Sequence, residues 1–286
     1  MVNILLSYLR SIFRNKLYAY SALITSAILI IGRIVGALVL EVKGVVISRL
    51  VLNFIFAAVG LVLIKHVFVK SQPRNVLTQA EKREMDVYSI QYMLTNGLWA
   101  VFMLNDIFLL GQLAGSSSML ADYKVACVLP GNISLFATAI GTYIAPKFTK
   151  NENDFSWIKA YFKKILSITV IIMGCICFLI WILAKPLISL LYGNEYLSAV
   201  PVMRILLIGA FLNSGLRYTI ANILAAMGKI KYNMIISIIG VIAQILLDVL
   251  LIPRMQMYGA AIANCIVYGI MSMYLLLVFC KLYINK

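Results

Sequence analysis

The chain alternates long apolar runs with short polar ones. A helix needs roughly 20 apolar residues to cross about 30 Å of hydrocarbon, and eight runs meet that length: Leu17 to Leu40, Gly44 to Val67, Val87 to Leu113, Tyr123 to Pro146, Ala160 to Ala184, Pro201 to Met227, Met234 to Pro253 and Tyr258 to Leu282. They lack the ten-residue alternation of barrel strands. In lipid every backbone N–H and C=O must be paired inside the protein, so such runs have to be helices. The expected fold class is all-α, a polytopic transmembrane helical bundle of about eight spans. The opening VNILLSYLRSIFRNK is amphipathic and too short to cross. It runs into a full-length span, so no cleavable signal peptide is expected.

The polar intervals divide the chain. VKSQPRNVLTQAEKREMD, with Pro73 and mixed charge, is the natural linker, giving two spans in 1–69, a linker over 70–86 and a six-span bundle over 87–286. KPLISLLYGNEYLSAV reads as a short interfacial helix ending near Gly193. An internal echo also appears: a shift of 215 positions lays Lys16 on Lys231, Gly44 on Gly259 and Arg33 on Asp248. Repeats on the scale of helical hairpins mark transporter folds.

Composition agrees, with 63% hydrophobic and 12% charged residues. A net charge of +15 could suggest nucleic acid, but the basic residues sit in short loops, so none is expected to bind it. Arg10, Arg14, Lys16 and the Lys and Arg residues of 65–83, 147–164, 229–231 and 281–286 fall on one side of the eight-span arrangement; Lys43, Lys124, Lys185 and Arg254 fall on the other. By the positive-inside rule the first side, with both termini, is cytoplasmic, where the lysines also meet anionic membrane lipids. Cys127, Cys175, Cys177, Cys265 and Cys280 lie within apolar runs and read as inert buried thiols. Cys175 and Cys177 point about 200° apart on a helix and cannot share a metal. His66, beside Lys65, reads as a headgroup-level residue rather than a proton relay. No metal or cofactor site is expected, and no nucleotide-binding loop or nucleophile elbow is visible.

Ionisable residues inside a span cost about 2.5 to 3.5 kcal/mol at its centre on insertion scales, so each is a candidate. Arg33, Arg49, Asp106, Arg204, Arg217 and Asp248 qualify. At 1.5 Å per residue Arg217 lies mid-span, and an inward-facing cation is the expectation. Arg49 and Arg204 lie about a turn from the outer interface and can snorkel. Asp106 and Asp248 are expected to pair with Arg204 or Arg33; the other reading makes one of them a coupling site for H⁺ or Na⁺. Tyr123, Tyr192, Tyr196, Tyr218 and Tyr232 read as interfacial anchors. Gly111 and Gly115 read as part of a turn rather than a dimerisation face.

Three stretches in order carry a family resemblance. NDIFLLGQLAGSSSMLADYKVACVLPG places Asp106, Leu110, Gly111, Gly115, Tyr123 and Ala126 in one pattern. LLYGNEYLSAVPVMRILLIGAFLN follows, then NILAAMGKIKYNMIISIIGVIAQILLDVLLIPRMQMYGAAIANCI. From about Arg14 onward the chain resembles the C-terminal part of Wzx-type polysaccharide flippases. The resemblance implies a flippase-type C-terminal six-helix lobe preceded by two spans of an N-terminal lobe, in a bacterial cytoplasmic membrane. It implies transport of an undecaprenyl-pyrophosphate-linked oligosaccharide, with Arg217 first and Arg33 and Arg204 behind it as contacts for the anionic pyrophosphate, and no enzymatic activity. It also implies partners: the missing N-terminal half, since family members have twelve or more spans, or other polysaccharide-assembly proteins. Alternatives left open are export of a drug or another lipid precursor, a non-transporting fragment, and a membrane polymerase or ligase.

Overall fold

The computed structural model describes residues 15–70, 78–113, 116–151 and 153–284, with side chains from 19 to 62 in the first stretch. The expectations placed on Arg10, Arg14, Lys16, Lys65, His66, Lys70, Arg74, Gly115 and Lys286 fall outside the described residues or side chains. The described residues are almost wholly helical and include no strand. The chain divides into two compact units, Met1–Leu77 and Thr78–Lys286.

The first unit is a single helical hairpin, α1 (Asn15–Lys70). It reverses at Glu41, whose φ of 51° and ψ of −133° leave the helical region. The reversal is tight because Gly36 and Gly44 face each other: a Cβ on Gly44 would strike the Gly36 carbonyl oxygen. Gly32 meets Leu52 further along the arms. Arg33 and Arg49 are both exposed on this hairpin.

The second unit is a bundle of α2 (Gln79–Leu113), α3 (Ser117–Asn132), α4 (Ser134–Lys150), α5 (Phe155–Ile182), α6 (Ala184–Tyr192), α7 (Ala199–Phe211), α8 (Tyr218–Ala226) and α9 (Ile230–Phe279). α2 starts eight residues before its expected apolar onset because a capping box opens it. The Thr78 N–H donates to Glu81 Oε2 at 2.8 Å and the Glu81 N–H donates to Thr78 Oγ1 at 3.3 Å. Asp154 caps α5, accepting from the Trp157 N–H at 3.0 Å. α3 runs into α4 through a bend after Pro130, whose ring removes a helical N–H. α6 is the expected interfacial helix, closed by Gly193 at φ 91°.

Among the described residues six helical stretches are long and apolar enough to cross a membrane, making this a multi-pass membrane protein. α1 and α9 each fold back on themselves, so the arms that can cross number eight, as the hydrophobic pattern predicts. α9 turns at Gln256 (φ 53°, ψ −131°), 215 positions after Glu41 and in nearly the same conformation. A Cβ on Gly259, the counterpart of Gly44, would lie 2.5 Å from the Leu251 carbonyl oxygen, and position 251 is the counterpart of Gly36. The sequence echo is therefore a repeated backbone device. Pro253 does not end its arm; it sits in the last turn before the reversal.

The stretch Ala199–Ala226 is the most buried, with neighbours on several sides. Two apolar clusters fill the bundle. One gathers Leu110, Tyr123, Ala126, Met173, Met203, Leu207, Ile252 and Ala260; the other gathers Phe102, Ile144, Phe162, Ile220, Ile236, Val267, Met271 and Phe279. Among the cysteines only Cys177 is fully buried, and Cys175 is exposed. The expectation of buried thiols is corrected there, because the helical rotation between the two that rules out a shared metal also turns Cys175 off the packed face of α5.

Candidate functional site

A set of buried polar residues of the bundle lies between its two apolar clusters. Along α2, Asp106 separates Phe102 from Leu110; along α9, Gln244 and Asp248 separate Ile236 from Ile252, and Asn264 separates Ala261 from Val267. Between α7 and α8, Asn213, Ser214 and Arg217 do the same. α2, the α7–α8 stretch and α9 thus each carry a polar break between the two clusters, and these breaks make up one polar layer inside the bundle.

An acidic half of this layer is held by amides. Asp106 accepts from Tyr123 Oη at 3.0 Å, Gln244 Nε2 at 2.9 Å and Asn264 Nδ2 at 3.0 Å. The same Gln244 Nε2 reaches both oxygens of Asp248, at 3.1 and 3.2 Å, and Asn105 Nδ2 donates to Asp248 Oδ2 at 2.8 Å. One amide thus bridges two carboxylates. Its oxygen, Gln244 Oε1, is buried without a donor. The expected ion pair with Arg204 is not formed: neutral donors take its place. Tyr123 is not an interfacial anchor either, being wholly buried, because its hydroxyl is needed by Asp106. A cavity of about 190 Å³ opens beside the cluster, lined among others by Asp106, Tyr123, Asn264, Asn213, Trp99 and Tyr268.

A cationic half lies across Trp99. Leu212–Arg217 is a π-helical turn, a form that often marks functional positions. Its loosened Leu212 carbonyl accepts from Ser272 Oγ at 3.0 Å. The turn swings Arg217 inward, 7% exposed, with its guanidinium 4.1 Å from the centroid of the Trp99 ring. Arg217 Nε donates to Asn213 Oδ1 at 2.7 Å. The guanidinium borders a second cavity of about 150 Å³ whose lining includes Thr95, Asn96, Tyr218, Asn222, Asn233 and Ser237. Asn233 Oδ1 is buried there with no donor. Tyr218 faces this space, its hydroxyl 3.1 Å from that of Thr138.

Arg217, Asp106 and Asp248 therefore share one layer. Arg204 stands apart, its guanidinium 4.7 Å from the Trp181 ring centroid and its Nε donating to the Trp181 carbonyl at 3.3 Å. Arg33 belongs to the other unit. The amides and Trp99 were not legible from charge alone. The available signal was Gln244 and Asp248 at i and i+4, with Asn105 beside Asp106, inside otherwise apolar runs.

Comparison with known proteins adds a family. The model of a polysaccharide biosynthesis protein family matches residues 1–201. An uncharacterised membrane protein of Methanocaldococcus jannaschii is 26% identical over 231 residues, covering 74% of this chain and 42% of its own length. The capsular polysaccharide biosynthesis protein CapF of Staphylococcus aureus is 32% identical over 131 residues, covering 45% of this chain and 33% of its own. The chain thus spans less than half the length of either. Among solved structures, the lipid II flippase MurJ in an inward closed conformation superposes with a TM-score of 0.64 at 18% identity, over 89% of this chain and 55% of that one.

Proposed function

Since the chain belongs to the polysaccharide biosynthesis protein family, we propose that it forms part of a flippase that moves an undecaprenyl-pyrophosphate-linked oligosaccharide across the bacterial cytoplasmic membrane, with both termini cytoplasmic. The observation that carries the cargo assignment is Arg217. It is a buried guanidinium beside a polar cavity, and among the described residues no carboxylate is paired with it. A buried cation left without a counter-charge is costly. A phosphate with paired acceptors offsets that cost where a cationic drug would raise it. The neighbouring amides and hydroxyls suit a sugar-bearing headgroup. Arg33 and Arg204 belong to the same reading only as contacts met elsewhere on the path, and the remaining partner is the other lobe or another polysaccharide-assembly protein. A polymerase or ligase has less support, because the hydroxyl that does meet a carboxylate in the polar layer, Tyr123 on Asp106, is wholly buried.

In cells lacking the gene, the wild-type chain restores surface polysaccharide, and Arg217→Ala at equal membrane levels lowers export about tenfold or more, the equivalent of one charge-assisted contact. Arg217→Lys retains part of it. Normal surface polysaccharide in the Ala variant would remove the assignment. A second reading accompanies it: Asp106, Asp248 and the donorless Gln244 oxygen form an oxygen-rich pair suited to H⁺ or Na⁺, so this cluster is the site through which an ion gradient drives transport. Neutral partners support it, since neither acid is locked by an arginine.

A further inference from the structure

Between α5 and α7 the surface carries an apolar groove of about 350 Å³. Phe178, Trp181, Leu207 and Ile208 form its walls, and Gly174 with Phe211 closes it at one end, where a Cβ on Gly174 would lie 3.5 Å from the Phe211 ring. Phe178 and Ile208 are more than half exposed, so the groove is open along its length to whatever surrounds the bundle. From Trp181 to Gly174, and from Arg204 to Phe211, is seven residues, about 10 Å of helix. The closed end therefore lies toward the bundle's mid-plane and the other end near a membrane surface. At that surface end sits Arg204, its guanidinium over the Trp181 ring. Among the described residues only its Nε is bonded, to the Trp181 carbonyl, which leaves the two terminal nitrogens as donors. Trp and Arg together are the residues expected at headgroup level.

We propose that this groove binds one glycerophospholipid of the adjoining leaflet, its acyl chain along Phe178 and Ile208 and its phosphate on Arg204. A groove of about 10 Å that stops at Gly174 and Phe211 takes about two-thirds of an acyl chain descending the roughly 15 Å of one leaflet. A polyprenyl chain several times longer would leave most of its length outside. The phosphate matches the paired donors of the guanidinium, and the Trp181 ring beside it holds the cation at that end. This assignment shares only Arg204 with the transport reading: the groove uses Leu207, Ile208 and Phe211 on one face of α7, whereas Leu206 and Ala210 on another face line the cavity beside Asp106.

Trp181 reports on its own site. In the full chain carrying Trp99→Phe and Trp157→Phe, reconstituted in phosphatidylcholine vesicles, Trp181 fluorescence is measured as brominated phosphatidylglycerol or a brominated galactosyl diacylglycerol without phosphate is added. The expected result is quenching by the phosphate lipid at about one-tenth the mole fraction needed by the galactolipid. Arg204→Gln brings the two curves together, Arg204→Lys leaves them partly separated, and Gly174→Leu weakens quenching by the phosphate lipid. Equal quenching by both lipids in the parent protein means non-specific boundary lipid and overturns the proposal. So does relief of the quenching by an equal mole fraction of unlabelled undecaprenyl phosphate, which would assign the groove to a polyprenyl carrier.

Discussion

At the scale of single residues, the polar layer shows how a membrane protein keeps two acids inside a bundle without a cation. Asp106 receives three donors and Asp248 receives donors from two side chains, with Gln244 common to both. Charge counting along the sequence found Asp106, Asp248 and Arg217, because ionisable residues in apolar runs stand out. It missed Asn105, Gln244, Asn264 and Trp99, since a neutral amide interrupts an apolar run far less than a charge does. It also misplaced Tyr123, because a tyrosine near a helix end looks the same whether its hydroxyl meets water or a carboxylate. Asp106→Asn tests the cluster. The new amide presents an NH₂ where three donors converge, leaving at least one unpaired at about 1 to 3 kcal/mol, so the variant melts lower in detergent. Trp99 lines the same cavity as Asp106. With Trp157 and Trp181 replaced by Phe, its fluorescence is expected to change saturably with Na⁺ or pH in the parent and not in Asp106→Asn. An unchanged titration in the variant would remove the ion-coupling role.

At the scale of elements, spans and their ends were largely readable, and the exceptions have physical causes. The interfacial helix α6 and its Gly193 stop follow from composition, whereas Pro253 misleads because a proline in the last turn of an arm need not end it. The true reversals use Glu41 and Gln256 at positive φ, where a side chain is strained by about 1 to 3 kcal/mol. Gln256→Gly removes that strain and adds back about 0.4 to 1 kcal/mol of unfolded-chain entropy, so a net gain of about 1 kcal/mol is expected, seen as a higher melting temperature. Gly259→Leu has the opposite sign, because its Cβ meets the Leu251 carbonyl. The helix caps add a pH effect. The Asp154 carboxylate, bonded to the Trp157 N–H and the Ser156 hydroxyl, is held below the usual carboxylate range. A carboxyl with a lowered folded value stabilises the fold above its unfolded value, near pH 4, and loses that contribution as pH falls through the folded one. Amide protection at Ser156 to Ile158, exchange relative to the free-peptide rate at the same pH, should therefore fall under acid conditions in the wild type. In Asp154→Ala protection should already be low at neutral pH and unchanged by acid, and equal protection in both proteins at neutral pH would show that the cap is idle.

At the scale of the whole molecule, the distribution of charge argues for one orientation. The facing ends of α4 and α5 carry Lys147, Lys150, Lys159, Lys163 and Lys164, and the junction of α8 and α9 carries Lys229 and Lys231, whereas the segment around α6 has Lys185 with Glu195. Because positive charges in short loops are retained on the cytoplasmic side, the proposed orientation puts the α4–α5 and α8–α9 turns in the cytoplasm and α6 at the outer surface. The structure ties the two basic turns to one end of the bundle, since Thr149 Oγ1 donates to the Ala226 carbonyl at 2.9 Å. One end cannot be cytoplasmic without the other, so a single flipped hairpin is not an available error. Periplasmic phosphatase fused after Gly193 should be active and fluorescent protein fused after Gly228 should be bright; the reverse pair of signals would invert the molecule. It would also place Arg204 and its groove in the cytoplasmic leaflet, so the same fusions decide which leaflet supplies the phospholipid.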